Sequence, residues 1–469
     1  MSIKVNLHKL STGIPGLDTL LSGGISRYSF IVLTGAPGSG KTTLAHQIMF
    51  SLAGEQRKSL FFTVLGEAPL KLLRFQQQYA FFDPALVGSA IKYVNLADDL
   101  QKSGFEGVLN RILAEVQAFQ PELIFVDSFK SVVQATRGTD QSTASLQFFV
   151  QQLGVQLSTW QATTFLIGED ADSTQEDNPM LSVADGIIHL CQDTDQNAMV
   201  RKISVVKMRG SEHMAGMHTF RITGAGLHVY PRLLSGGIVA APDDPAFRRG
   251  ASRISSGSGE LDDMLGGGIP VGYSVVINGP SGCGKTVLAT SFLKAGALAG
   301  EHGVLASFEH DFFYASNSPL QALIDTARVT EVRPYSFDMS IEEIVTELAE
   351  TVDRTGARRL VIDSLTALEM VLAPQFRDNF QESLFRMLSC LHARGVTVMM
   401  VRNLPQMGDQ IFSASSFIVD CIISMRFVER DSRLIKLISC PKLRGSAHSN
   451  EVRTFHTVAD GIEIGGVLE

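Results

Sequence analysis

The sequence predicts an α/β protein of two tandem domains. Each is expected to hold a mostly parallel, twisted sheet with helices on both faces and a few antiparallel edge strands. Three observations predict this. A glycine-rich loop ending in Gly-Lys-Thr occurs at 35–42 and again at 279–286, with its lysines 244 residues apart. A Ser-x-Gly…Leu-Asp segment ending in paired glycines stands at 11–24 and repeats at 255–268, the same interval. After each loop, short apolar runs alternate with helical spacing, the pattern of strands buried on both faces. Self-similarity at so long a period means duplicated domains rather than a solenoid.

The first loop reads Gly35-Ala36-Pro37-Gly38-Ser39-Gly40-Lys41-Thr42 and is followed by Thr43. The second reads Gly279-Pro280-Ser281-Gly282-Cys283-Gly284-Lys285-Thr286 and is followed by Val287. A triphosphate is densely negative, so its site needs many backbone N–H groups turned inward, which glycines permit. The lysine then reaches the outer phosphates and the threonine hydroxyl ligates magnesium. An incidental glycine-rich turn does not account for two copies in one register. The motif leaves open whether each site hydrolyses its nucleotide or only binds it.

In the first half, strands are expected at 28–34, 59–65, 123–127 and 163–168. Helices are expected at 42–53, after the second strand through 79, at 105–119 and at 142–158. The order then changes to short strands at 186–190, 200–207 and 218–222, which predict the antiparallel edge. The second half repeats the scheme with strands at 273–278, 303–308, 359–363 and 396–401, and helices near 285–299, 341–355 and 379–394. Between the halves, 233–252 holds Gly-Gly, Pro-Asp-Asp-Pro and Arg-Arg-Gly without periodicity, the marks of a linker. The domains are accordingly 1–244 and 245–469.

With 469 residues, of which 45% are hydrophobic, the chain is too long for one core and can fill two. Its formal charge of −8 argues against a protein that lives on nucleic acid, whose affinity comes from lysine and arginine meeting phosphates. Five cysteines without metal-ligand spacing read as reduced thiols of a cytoplasmic protein. Cys283 lies inside a phosphate loop, where oxidation would block nucleotide, although a small residue there needs no redox role. The N-terminal residues lack the apolar run of a secretion signal, and no membrane span is expected.

Phosphoryl chemistry also needs a second acid for the metal, a base, and cations for developing charge. Leu-Ile-Phe-Val-Asp127 and Arg-Leu-Val-Ile-Asp363 each end an apolar strand with an acid, as a Walker B strand does. A carboxylate there faces the crevice in which open α/β sheets bind ligands. Candidate bases follow the strand after the phosphate-loop helix in each half, Glu67 in Gly66-Glu67 and Glu309 in Glu309-His310. Lys207 with Arg209, and Lys442 with Arg444, are alternate residues of two Lys-x-Arg-Gly segments, so each pair faces one side of a strand.

The ordered set of loops, Asp-Ser strands, Ser-x-Gly…Leu-Asp segments and Lys-x-Arg-Gly segments, found twice, resembles the RecA/RadA superfamily and most closely the KaiC-type clock ATPases. The resemblance covers nearly the whole chain. It implies two RecA-like P-loop domains, ATP and Mg2+ as cofactors, and a homo-hexameric double ring with ATP between neighbouring subunits. It also implies that Lys207, Arg209, Lys442 and Arg444 reach a neighbour's nucleotide. The family usually carries adjacent glutamates after the second strand; here each half keeps one, Glu67 at the second position and Glu309 at the first. Clock members modify an adjacent Ser-Thr pair, and the matching stretch here is Ser415-Ser416-Phe417. Only Ser416 remains as a phosphosite, which argues against a two-site cycle. The chain continues only briefly past the second repeat, without the long tail by which clock members engage a partner protein.

The expected function is therefore an ATP-hydrolysing regulatory or signalling ATPase, with a signalling protein as a further partner. The rivals are a serine autokinase acting on Ser416 and a nucleotide-assembled scaffold with little hydrolysis. A DNA recombinase is disfavoured, because residues 168–185 carry six acids and no lysine or arginine, and residues 403–416 carry no cation.

Overall fold

The computed structural model describes residues 8–64, 69–128, 152–153, 156, 161–168, 183–196, 198–232, 249–250, 252–308, 319–334, 336–404, 417–459 and 461–468. The chain divides into two compact units, Met1–Arg232 and Leu233–Glu469. The expected boundary at 244/245 lies outside the described residues.

The first unit opens with a two-stranded ribbon, β1 (Lys9–Leu10) and β2 (Ile25–Ser26), around the short helix Leu17–Leu20. Its main sheet is built from β3 (Phe30–Gly35), β4 (Ser59–Thr63), β5 (Ile91–Asn95), β6 (Leu123–Asp127), β7 (Thr163–Ile167), β8 (Gly186–Asp195), β9 (Ala198–Met208), β10 (His218–Thr223) and β11 (Gly226–Tyr230). Among the described residues the strand order is β5-β4-β6-β7-β3-β8-β9-β10-β11. Strands β5 through β8 run parallel, and β9, β10 and β11 are added antiparallel at one edge.

The second unit repeats this order strand for strand. Its ribbon is β12 (Arg253–Ile254) with β13 (Ile269–Pro270), around the helix Gly259–Met264. The sheet comprises β14 (Ser274–Gly279), β15 (Gly303–Ser307), β16 (Val329–Val332), β17 (Arg359–Asp363), β18 (Thr397–Asn403), β19 (Cys421–Arg430), β20 (Arg433–Leu443), β21 (Arg453–Val458) and β22 (Gly461–Val467). Their order is β16-β15-β17-β18-β14-β19-β20-β21-β22.

Alternation along each central strand explains why the runs are apolar throughout. Ile31 and Leu33 of β3 join Phe61, Phe125 and Phe165 beneath the helix Lys41–Leu52. Phe30 and Val32 point the other way, with Leu60, Phe62, Ile124 and Leu166, toward the helix Ala97–Phe119. Phe125 stacks on Phe165 with centroids 4.7 Å apart, a contact adding to the burial of both rings. In the second unit Val275 and Ile277 face the helix Lys285–Leu298, while Val276 faces the helices Ile341–Thr355 and Phe380–Ala393.

Some expected elements shift. The helix expected at 105–119 begins at Ala97, because Gly104 (φ 58, ψ −146) joins two helical stretches across a kink. β8 and β9 form one long hairpin, turning at Gln196 (φ 50), instead of two short strands. β5, β11, β16 and the helices Leu365–Val371 and Pro374–Arg377 are additional to the expected set. The helix expected at 142–158 falls almost wholly outside the described residues.

Candidate nucleotide sites

Each phosphate loop leaves the C-terminal end of a central strand and runs into a helix whose first residue is the motif lysine, Lys41 or Lys285. The preceding glycines are left-handed, Gly40 at φ 104 and Gly284 at φ 112. A Cβ on Gly35 would stand 2.1 Å from the Leu190 carbonyl oxygen, and on Gly279 2.4 Å from that of Met425. The neighbouring strand therefore admits only glycine at the start of each loop.

Both lysine side chains are buried in the curl of their loop. Lys41 Nζ donates to the carbonyls of Gly35 at 2.7 Å and Ala36 at 2.8 Å. Lys285 Nζ donates to the Pro280 carbonyl at 2.7 Å. Thr42 Oγ1 donates to Asp127 Oδ2 at 2.7 Å, and Thr286 Oγ1 to Asp363 Oδ2 at 2.8 Å. Two hard oxygen donors in contact beside a phosphate loop are the ligand chemistry that suits Mg2+, which keeps waters and shares the phosphates. The structure thus brings together Lys41, Thr42 and Asp127, and separately Lys285, Thr286 and Asp363. Gly38, Ser39 and Gly282 complete the loops, while Thr43 and Val287 follow one residue into each helix.

Cys283 Sγ is fully buried, 3.9 Å from Lys285 Nζ. Burial pushes its thiol pKa up, with the Lys285 charge pulling the other way. Ser39, its counterpart in the first loop, is equally buried. The position calls for a small side chain in both.

The two Lys-x-Arg-Gly segments stand apart from their own loops. Lys207 pairs with Ile187, which adjoins Val32, three residues short of Gly35. Lys442 pairs with Ile422, which adjoins Val276, three residues short of Gly279. At about 3.3 Å per residue, each pair sits roughly 10 Å back along the sheet from the loop of its own unit. Lys442 Nζ donates to the Val419 carbonyl at 2.7 Å, and Arg444 Nη2 to that of Phe417 at 2.8 Å. Arg209 Nη1 lies 3.4 Å from Asp185 Oδ1. Burial lowers the pKa of Lys207, and the Arg209 charge adds to this against Asp185. Lys442 is lowered by burial and then by Arg444. Glu67, Glu309, His310 and Ser416 lie outside the described residues.

Sequence reasoning missed three features. Lys436 Nζ donates to Thr457 Oγ1 at 3.0 Å, and that oxygen is 3.2 Å from where a Cβ on Gly284 would stand. The first unit has Ile222 and Phe220 under Gly40. A cavity of about 220 Å³ opens beside Thr286, lined by Thr290, Ser291, Lys294, Pro319, Val458 and Gly461 among others. In the first unit His46, one turn behind Thr42, is buried against Phe61 and holds the Thr42 carbonyl through Nδ1 at 2.7 Å. Lys436, Thr457 and Val458 come from strands with no motif around them, so only strand register could have pointed to them, whereas His46 and Thr290 lie one turn past the Gly-Lys-Thr motif on the same helices.

A family model described as "ATPase: KaiC" matches residues 10–233 and again 254–469. The chain belongs to the KaiC ATPase family. Its two units are two tandem RecA-like ATPase domains. It is 24% identical to the "Circadian clock oscillator protein KaiC" of Parathermosynechococcus lividus, over 97% of this chain and 85% of that protein. It is 26% identical to the "Circadian clock protein KaiC3" of a Synechocystis species, over 98% of this chain and 92% of that protein. The KaiC of a Nostoc species is 23% identical, over 98% of this chain and 89% of that protein. Among the described residues no helix is long and apolar enough to cross a membrane.

Proposed function

We propose that both pockets bind Mg2+–ATP and that the chain assembles into a homo-hexameric double ring whose hydrolysis serves a regulatory or signalling role in the cytoplasm. The observation that carries this reading is the threonine–carboxylate contact beside a buried loop lysine, present at 2.7 Å in one unit and 2.8 Å in the other. Thr42 with Asp127, and Thr286 with Asp363, would hold magnesium, which when bound neutralises charge on the β- and γ-phosphates. The loop glycines and Lys41 or Lys285 hold the polyphosphate. Glu67 and Glu309 act as bases for the attacking water, which displaces ADP from the γ-phosphorus. The cleft beside Thr286 takes the base and ribose in the second domain. The domains are divided at 244/245.

Lys207, Arg209, Lys442 and Arg444 serve a neighbour's nucleotide in this reading, because each pair stands back from the loop of its own unit. Completion in trans requires a ring, so the test is the solution mass with and without ATP. The expected result is six times the mass of one chain in ATP; a single protomer at saturating ATP overturns it. Autokinase activity at Ser416 is the second reading, favoured by a serine standing where clock relatives carry their modified pair. Intact-mass measurement after incubation with ATP decides it, a gain of one phosphoryl group supporting it and no gain removing it.

A further inference from the structure

In the second unit one carboxylate sits between two arginines and the start of the phosphate-loop strand. Asp420 is 2% exposed. Its Oδ2 accepts from Ser274 N at 3.0 Å and from Ser274 Oγ at 2.9 Å, at the first residue of β14. Its Oδ1 is 2.5 Å from Arg249 Nη2 but 3.7 Å from Arg444 Nη1. Burial alone would raise this carboxyl, but the hydrogen bonds from Ser274 and the Arg249 charge outweigh it and hold the group below the usual carboxylate range. Asp420 is thus ionised at neutral pH and draws the nearest cation.

Among the described residues of the first unit, one arginine stands beside the corresponding carboxylate. Asp185 Oδ2 accepts from Phe30 N at 3.0 Å, the first residue of β3, just as Asp420 caps β14. Arg209 N donates to the Asp185 carbonyl at 2.8 Å and Arg444 N to that of Asp420 at 2.9 Å, so the two segments correspond. In the first unit, however, Oδ1 is 3.4 Å from Arg209, the Lys-x-Arg-Gly arginine itself. The residue 244 positions before Arg249 is Val5, which carries no charge. Arg249 therefore takes in the second unit the carboxylate oxygen that Arg209 faces in the first. It is braced for this: its guanidinium lies 5.5 Å over the Tyr273 ring, and Tyr273 Oη donates to the Arg444 carbonyl at 3.3 Å.

We propose that Arg249 is a positioning residue: by taking the closer place on Asp420 it leaves the Arg444 guanidinium in a long, loose ion pair with that carboxylate, from which it can turn toward a neighbour's polyphosphate. This rests on the proposed role of Arg444 in trans. Without Arg249, Coulomb attraction tightens the 3.7 Å ion pair between Arg444 and Asp420.

The test reads Arg444 directly, by phenylglyoxal modification of the full-length protein followed by peptide mass spectrometry. Arg249→Gln should slow Arg444 modification about threefold or more, the scale of a half-exposed ion pair. Adding Asp420→Asn should restore the wild-type rate, and Arg249→Lys should keep most of it. An unchanged Arg444 rate in folded Arg249→Gln overturns the proposal. Should Arg249→Gln fail to fold, Asp420→Asn alone decides: a rate at or above wild type supports the proposal, a slower one overturns it. Phosphate release in a Lys41→Ala background gives a second readout, with kcat falling in Arg249→Gln, KM little changed and the double variant recovering. No phosphate release from Lys41→Ala itself would count against hydrolysis in the second pocket, while the labelling rates still judge Arg249.

Discussion

Among the described residues the two phosphate pockets share the loop glycines, the lysine and the threonine–aspartate contact, and differ at Ser39 against Cys283, at Thr43 against Val287 and in the layer behind. Each has a buried lysine, a threonine bound to a strand-end aspartate, and glycines that the adjacent strand forbids from carrying a side chain. Behind the first loop stand Ile222, Phe220 and His46, an apolar support with one neutral imidazole. Behind the second stand Phe455 and Thr457, the latter taken by Lys436, whose register position in the first unit is held by Arg201. Phosphate chemistry fixes the glycines, the lysine and the threonine–aspartate pair, whereas a side chain one layer out, such as His46 where the second unit has Thr290, changes the pH response without dismantling the site.

The largest expected effect tests the shared layer. Asp127→Asn and Asp363→Asn should each lower turnover of their own pocket by about 10- to 100-fold, as loss of a metal-orienting partner does. Phosphate release with the other pocket disabled at its lysine measures this; a change of less than twofold would mean the aspartate does not serve the metal.

A smaller effect separates the units by pH. Burial pushes the His46 pKa down to about 4, the Thr42 carbonyl opposing. The fold thus favours neutral imidazole, so stability is full above the unfolded value near 6.5 and falls as pH drops toward 4. Between pH 7.5 and 5 that loss is about 2 kcal/mol. His392 carries a like liability in the second unit, also near 4, so His46→Gln isolates the first. Urea unfolding should show a shallower loss on acidification in His46→Gln than in wild type; parallel curves would contradict the assignment.

The smallest effect concerns Lys436. Lys436→Met should weaken ATP binding in the second pocket about fivefold, near 1 kcal/mol for a partly exposed cation, and less so at high salt. Titration of the Lys41→Ala protein reads this, and unchanged affinity would remove Lys436 from the pocket.

Much of this was legible in the residues. The loops and the strands ending at Asp127 and Asp363 were readable because glycine conformation, lysine charge and a buried apolar run are local demands. The Lys436–Thr457 contact was not, since it joins β20 and β21 through a register that no short motif encodes. Arg249 escaped for the same reason: it lies 171 residues from Asp420 in the chain, at the end of a segment read only as linker. The helix Ala97–Phe119 started early because Gly104, which reads as a helix break, lies inside it at a kink.

The central claim is that each unit carries its own working nucleotide pocket. Steady-state phosphate release from wild type, Lys41→Ala, Lys285→Ala and the double variant tests it most directly. The account predicts partial activity in each single variant and background release in the double. Full wild-type release from the double variant would contradict it.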